Sequence, residues 1–188
     1  MRVRDGVMRA TLKKTVVMVG MMGAGKSAVG KALATDLGVP FLDSDAEIER
    51  AANATIAEIF ARDGEAFFRD KEAQVIARLL DGTPCVLSVG GGAFLRAETR
   101  ARISRDGVSV WLKADIETLW QRVRRKDSRP LLRTADPRRT LAELMQAREP
   151  AYAQADLTVL TTADYAIETT SQKVIEALAS RADVLTLT

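Results

Sequence analysis

Apolar positions along this chain follow two rhythms. Thr15-Val16-Val17-Met18-Val19 is a short β-branched run that closes on Gly20, the pattern of a strand covered on both faces that feeds a tight turn. Comparable runs lie at Val39–Leu42, Cys85–Val89, Val108–Leu112 and Leu157–Leu160, which predicts five strands. Between them the apolar spacing is helical. Val29, Leu33 and Leu37 mark one face of a helix from Lys26, and Gly38 supplies its stop. Further helices are expected over about 46–53, over 55–81 with an interruption near Asp63-Gly64, over 116–125, up to Tyr152 with a bend near Pro150, and over 164–179. Residues 127–137, with Pro130, Pro137 and many charges, read as a mobile loop, and residues 1–12 and 181–188 as frayed ends. Strands alternating with helices predict an α/β fold of three layers, α/β/α, around a five-stranded parallel sheet.

Composition narrows the class. The 188 residues are 47% apolar and 28% charged, enough for one core in a single domain, taken as 15–180 between a basic, disordered leader (1–14) and a short tail (181–188). No charge-free stretch approaches the ~20 residues of a membrane span, and the first 14 residues lack the apolar centre of a secretory signal. The expectation is a cytoplasmic monomer without a membrane partner. Cys85 is the single cysteine and histidine is absent, so an internal disulfide, a cysteine-cluster metal site, histidine-ligated zinc and histidine-based triads are all excluded. Carboxylates, lysines, arginines, backbone amides or a metal on oxygen ligands must carry any chemistry. The net charge of +3 hides +4 on residues 1–14 and +6 on 121–139, with −7 on the rest. With 5% aromatics and no basic face, nucleic acid is not an expected partner.

Gly20-Met21-Met22-Gly23-Ala24-Gly25-Lys26-Ser27 fits G-x-x-x-x-G-K-[ST] between a buried strand and a helix. Backbone amides of such a loop cradle phosphates, Lys26 can reach the β and γ phosphates, and Ser27 can ligate Mg²⁺. GTPases, ATPases and small-molecule kinases share this signal. Asp43 and Asp45, two apart at a strand end, can face the same way if the backbone stays extended, one toward Mg²⁺ and one toward an acceptor. Equally, Ser44-x-x-Glu47 reads as a capping box, with Asp45 as an anion in the first helical turn. Arg69 reads either as a site residue or as a surface arginine paired with Glu72 three positions on. Gly90-Gly91-Gly92 suits backbone contact with an anionic or hydroxylated ligand, or simply a tight turn.

Taken together, the phosphate loop, Asp43-Ser44-Asp45, Gly64-Glu65-x-x-Phe68-Arg69-x-x-Glu72, the three glycines, Arg129-Pro130-Leu131-Leu132 and Arg148-x-Pro150-x-Tyr152 resemble the shikimate kinase family, over about Thr15 to Leu178. The resemblance implies a P-loop NTPase fold of the nucleoside monophosphate kinase type, with a lid at about 127–137. It implies transfer of a phosphoryl group from ATP, with Mg²⁺, to the 3-hydroxyl of shikimate on the route to chorismate. It assigns ATP to Gly23, Ala24, Gly25, Lys26, Ser27, Ala28, Arg122 and Arg129, with Arg122 stacked on adenine. Ser27 and Asp43 would serve the metal, Asp45 the reacting hydroxyl as base, and Arg69 and Arg148 the shikimate carboxylate. Gly90, Gly91 and Gly92 would border the ring, while Lys26 and Arg129 would neutralise the transferring phosphate. Thr161–Ala166 lacks the arginine and proline features of the family's second adenine loop. Gluconate kinase is the alternative enzyme; a nucleotide-binding regulator without turnover is the alternative class.

Overall fold

A computed structural model describes residues 10–124 and 132–187. The elements are β1 (Ala10–Leu12), β2 (Thr15–Val19), α1 (Lys26–Leu37), β3 (Phe41–Asp43), α2 (Ser44–Ala52), α3 (Ile56–Leu80), β4 (Val86–Ser88), α4 (Ala97–Asp106), β5 (Gly107–Lys113), α5 (Ile116–Val123), α6 (Pro137–Tyr152), β6 (Leu157–Leu160), α7 (Ile167–Ala179) and β7 (Leu185–Leu187). Strands β2 to β6 form one parallel sheet in the order β3-β4-β2-β5-β6. β2 lies in the middle, and Val16, Val17, Met18 and Val19 are all fully buried, as the continuous apolar run requires. The chain leaves β2 toward β3 on one side and later passes to β5 on the other. With right-handed crossovers these opposite directions put α1 and α7 on one face, in contact with each other, and α3 and α4 on the opposite face.

Two sequence expectations change. The ends pair: Ala10–Leu12 runs antiparallel to Leu185–Leu187, Leu12 and Leu185 are buried, and Lys14 bridges Asp183 at 2.9 Å. Residues 10–12 and 185–187 are therefore not frayed. The helix α4 has no counterpart in the hydrophobic pattern, because only Thr99 and Ile103 of its ten residues are buried and a stripe that narrow gives no period. The break near Asp63-Gly64 is present as a kink inside α3, where Gly64 takes φ 83° and ψ 173°.

The parallel sheet delivers its candidate residues to one edge. The phosphate loop follows β2, Asp43 ends β3, and the glycines follow β4, all at the carboxyl ends of strands, where ligands of open α/β sheets sit. A second, smaller apolar cluster of Ile48, Ile59, Phe68 and Val75 joins α2 to α3. Among the described residues no helix is long and apolar enough to cross a membrane.

Candidate active site

The phosphate loop is shaped by what packs beneath it. Gly23 takes φ 82°, and a Cβ there would lie 2.7 Å from Val123 Cγ1 and 3.2 Å from the Leu119 carbonyl, so α5 leaves room only for glycine. Lys26 Nζ donates to the carbonyls of Gly20 (2.8 Å) and Met21 (3.0 Å), folding the lysine back over its own loop. Ala24 is buried, Gly25 partly so, and Ser27 and Ala28 are exposed on the first turn of α1. Arg122 closes the outer side: its Nη1 is shared between the Gly23 and Ala24 carbonyls at 3.3 Å each, and Nη2 donates to the Thr162 carbonyl at 2.7 Å. The arginine thus ties the phosphate loop to the loop after β6.

Asp43 settles one of the open alternatives. Its Oδ1 accepts from the Asp45 and Ala46 amides at 3.0 and 3.4 Å, so Asp43, and not Ser44, caps α2. Ser44 Oγ is buried with no partner, and Glu47 pairs instead with Arg50 and Arg78. The helix begins at Ser44, so the extended geometry that would aim both carboxylates alike ends before Asp45. The other oxygen of Asp43 accepts from Ser27 Oγ at 3.4 Å, and Ser27 Oγ stands 3.4 Å from Ser88 Oγ. Parallel register sets Asp43 beside Ser88, which brings the metal candidates Ser27 and Asp43 together.

Asp45 lies between the two halves. Burial and the neighbouring Asp43 carboxylate raise its proton affinity above the ordinary carboxylate range, while Lys26 and Arg69 pull it down. Both the phosphate-loop lysine and the α3 arginine are near enough to act on its charge, and its Oδ1 would lie 3.3 Å from a Cβ on Gly90. Arg69 Nη1 donates to Glu72 Oε2 at 2.7 Å, the predicted pairing, but Glu72 is buried rather than solvated. Its Oε1 has no partner, and burial raises its pKa against the pull of Arg69. Arg69 also lies over the Phe68 ring, 5.2 Å from its centroid.

The three glycines are where these side chains meet. A Cβ on Gly90 would lie 3.3 Å from both Asp45 Oδ1 and Glu72 Oε1; on Gly91, 2.9 Å from Arg148 Nη1; on Gly92, 2.6 Å from Arg69 Cζ. Side chains from α2, α3 and α6 thus converge on one turn, with two guanidinium groups and two carboxyl groups around it. The arrangement can hold an anionic group between Arg69 and Arg148 and present a hydroxyl to Asp45. Tyr152, which closes the Arg148-x-Pro150-x-Tyr152 motif, donates to the Gly91 carbonyl at 2.7 Å. Glu72 and Tyr152 stood in the quoted motifs without a role, and Ser88 carried no signal beyond being polar in a buried strand. Arg129 and residues 127–131 of the expected lid lie outside the described residues.

A family model described as shikimate kinase matches residues 22–179. The shikimate kinase of Ruegeria pomeroyi is 68% identical over 178 residues, covering 95% of this chain and 91% of that protein. That of Cereibacter sphaeroides is 67% identical, covering 94% and 88%. Among solved structures, the shikimate kinase from Acinetobacter baumannii in complex with shikimate superposes with a TM-score of 0.83 at 39% identity, covering 90% of this chain and 94% of that one. A gluconokinase from Sinorhizobium meliloti, 18% identical with a TM-score of 0.60 and coverage of 92% and 95%, shares the fold.

Proposed function

Because the chain belongs to the shikimate kinase family, we propose that it transfers the γ-phosphoryl group of ATP to the 3-hydroxyl of shikimate, giving shikimate 3-phosphate and ADP. The observation that carries this reading is the position of Asp45, within electrostatic reach of Lys26 and of Arg69, between a triphosphate cradle and a two-arginine anion site. Asp45 accepts the hydroxyl proton as the oxygen bonds to the γ-phosphorus and the bond to the β–γ bridging oxygen breaks. Such transfer has a loose transition state, so positioning and charge neutralisation supply most of the acceleration. A carboxylate of raised proton affinity suits the base, since it takes the proton more readily than an ordinary aspartate. Lys26 neutralises the phosphates, and Arg129 joins it on the transferring group.

Arg69 and Arg148 hold the carboxylate, each through charge-assisted hydrogen bonds. The choice of shikimate over gluconate follows from the family to which the chain belongs. Among the described residues no cluster of three or more acidic, cysteine or histidine side chains stands ready for a metal. The hydroxyl of Ser27 beside the Asp43 carboxylate does suit Mg²⁺, which keeps waters and takes few protein ligands when phosphates supply the rest. Bound there, Mg²⁺ would neutralise charge on the β and γ phosphates. A coupled ADP-release assay with Mg-ATP and shikimate, quinate or gluconate tests the reading; turnover on gluconate without turnover on shikimate would overturn it.

A further inference from the structure

The turn Gly90–Ala93 is closed by the Ala93 amide donating to the Gly90 carbonyl at 3.1 Å. Its third residue, Gly92, takes φ −85° and ψ −20°, the conformation of a type I turn. Types I and II differ by reversal of the central peptide, here Gly91–Gly92, and type II requires the positive φ that glycine adopts freely. Two central glycines therefore leave the local sequence indifferent between the two forms. A residue that would decide the matter locally would displace a guanidinium group, because a Cβ on Gly91 would meet the end of Arg148 and one on Gly92 the end of Arg69. The choice has to be imposed from outside the turn.

Tyr152 is placed to impose it. The side chain is 1% exposed, its ring packs near Trp111 with centroids 6.1 Å apart, and its hydroxyl donates to the Gly91 carbonyl at 2.7 Å. The hydroxyl proton is spent there, so the oxygen can only accept from a second neighbour, and Arg148 stands at the same turn: a Cβ on Gly91 would lie 2.9 Å from Arg148 Nη1 and 3.4 Å from the Tyr152 hydroxyl oxygen. A trans peptide carries its C=O and N–H on opposite sides. Drawing the Gly91 carbonyl onto Tyr152 turns the Gly92 N–H to the other face of the turn, and reversal would exchange a donor for a carbonyl oxygen.

We propose that Tyr152 is a positioning residue that locks the Gly90–Ala93 turn in its type I form and orients Arg148, so that the turn offers an N–H and not a carbonyl to the substrate carboxylate. The inference rests on the reading that Arg69 and Arg148 hold that carboxylate.

The test is Tyr152→Phe, which keeps the packed ring and removes the hydroxyl. Initial rates are measured with shikimate and with its analogue bearing a primary alcohol in place of the carboxylate. The expected result is a shikimate KM raised roughly tenfold, as for loss of hydrogen bonds in a charged network, with the ATP KM and kcat nearly unchanged. Preference for acid over alcohol should fall by the same factor. Backbone NMR of the ligand-free variant should show the Gly91 and Gly92 amides shifted or exchange-broadened, and 4-aminophenylalanine at position 152, which restores a donor, should recover the KM. A Tyr152→Phe enzyme with unchanged shikimate KM overturns the proposal, as does an equal loss on both substrates or no recovery by the amine. Failure of the underlying carboxylate reading looks different: the wild-type enzyme itself would not distinguish acid from alcohol.

Discussion

The two halves of the site are built in opposite ways. The phosphate half is one continuous segment, Gly20–Ser27, between a fully buried strand and the first turn of α1, seated on the main core. The acceptor half is collected from α2, α3, the turn after β4 and the end of α6, and α2 and α3 share the small cluster of Ile48, Ile59, Phe68 and Val75. The phosphate half offers backbone amides and one lysine, whose ammonium donates to the Gly20 and Met21 carbonyls. The acceptor half places carboxyl groups of raised proton affinity, Asp45 and Glu72, beside arginines in a partly dry pocket. Loss of one partner there leaves another charge desolvated. The first half is a local device, the second a network.

Changes in the phosphate half should therefore act on turnover. Lys26→Ala is expected to lower kcat by about 10²- to 10³-fold, the scale of one lost electrostatic stabiliser, with an unchanged circular dichroism spectrum; a variant keeping a tenth of wild-type turnover would contradict the role of Lys26. In the acceptor half, Arg69→Ala and Arg148→Ala each remove charge-assisted contacts of about 1.5–3 kcal/mol. That should raise the shikimate KM roughly 10- to 150-fold, with little change for ATP. If ATP suffered and shikimate did not, the assignment would have to move to the phosphate side.

A core pair probes the same contrast more gently. Ile59→Ala and Leu33→Ala both empty buried positions, at a cost of about 2–5 kcal/mol each. Ile59→Ala should raise the shikimate KM several-fold more than the ATP KM, because it loosens the cluster that carries Asp45 and Arg69. Leu33→Ala should lower the melting temperature without changing the ratio of the two KM values. Equal kinetic effects from both would show that the halves are not separately supported.

The smallest expected effect is on titration. Burial first, and then Asp43, raise the Asp45 pKa, so its carboxyl carbon should titrate above the ordinary value of about 3.9 in a ¹³C NMR experiment. Because the base must be unprotonated, kcat/KM falls as pH drops through that raised pKa. Asp43→Asn removes an anion that raises it and should move the Asp45 titration toward lower pH. An upward movement would show that Asp43 is not the neighbour Asp45 senses.

Sequence alone determined the parallel sheet, because five short apolar runs between helical periods admit few other packings, and the phosphate loop, because its parts are adjacent in the chain. It also spelled out Asp45, Arg69 and Gly90–Gly92, but only as motifs with equally good local explanations, and Arg148 only as part of the resemblance carried by Arg148-x-Pro150-x-Tyr152. Asp43 shows the limit: the spacing suggested a capping box at Ser44, while the cap falls one residue earlier and leaves Asp43 with an oxygen on Ser27. Glu72 is similar, since a charge pair three residues apart on a helix looks the same in sequence whether it faces water or a pocket. Tertiary structure decided which carboxyl groups are dry, that the chain ends pair as β1 and β7, and that three helices meet at one turn. Burial and long-range contact depend on which surfaces face each other after folding, and residues far apart in the chain carry no local record of it.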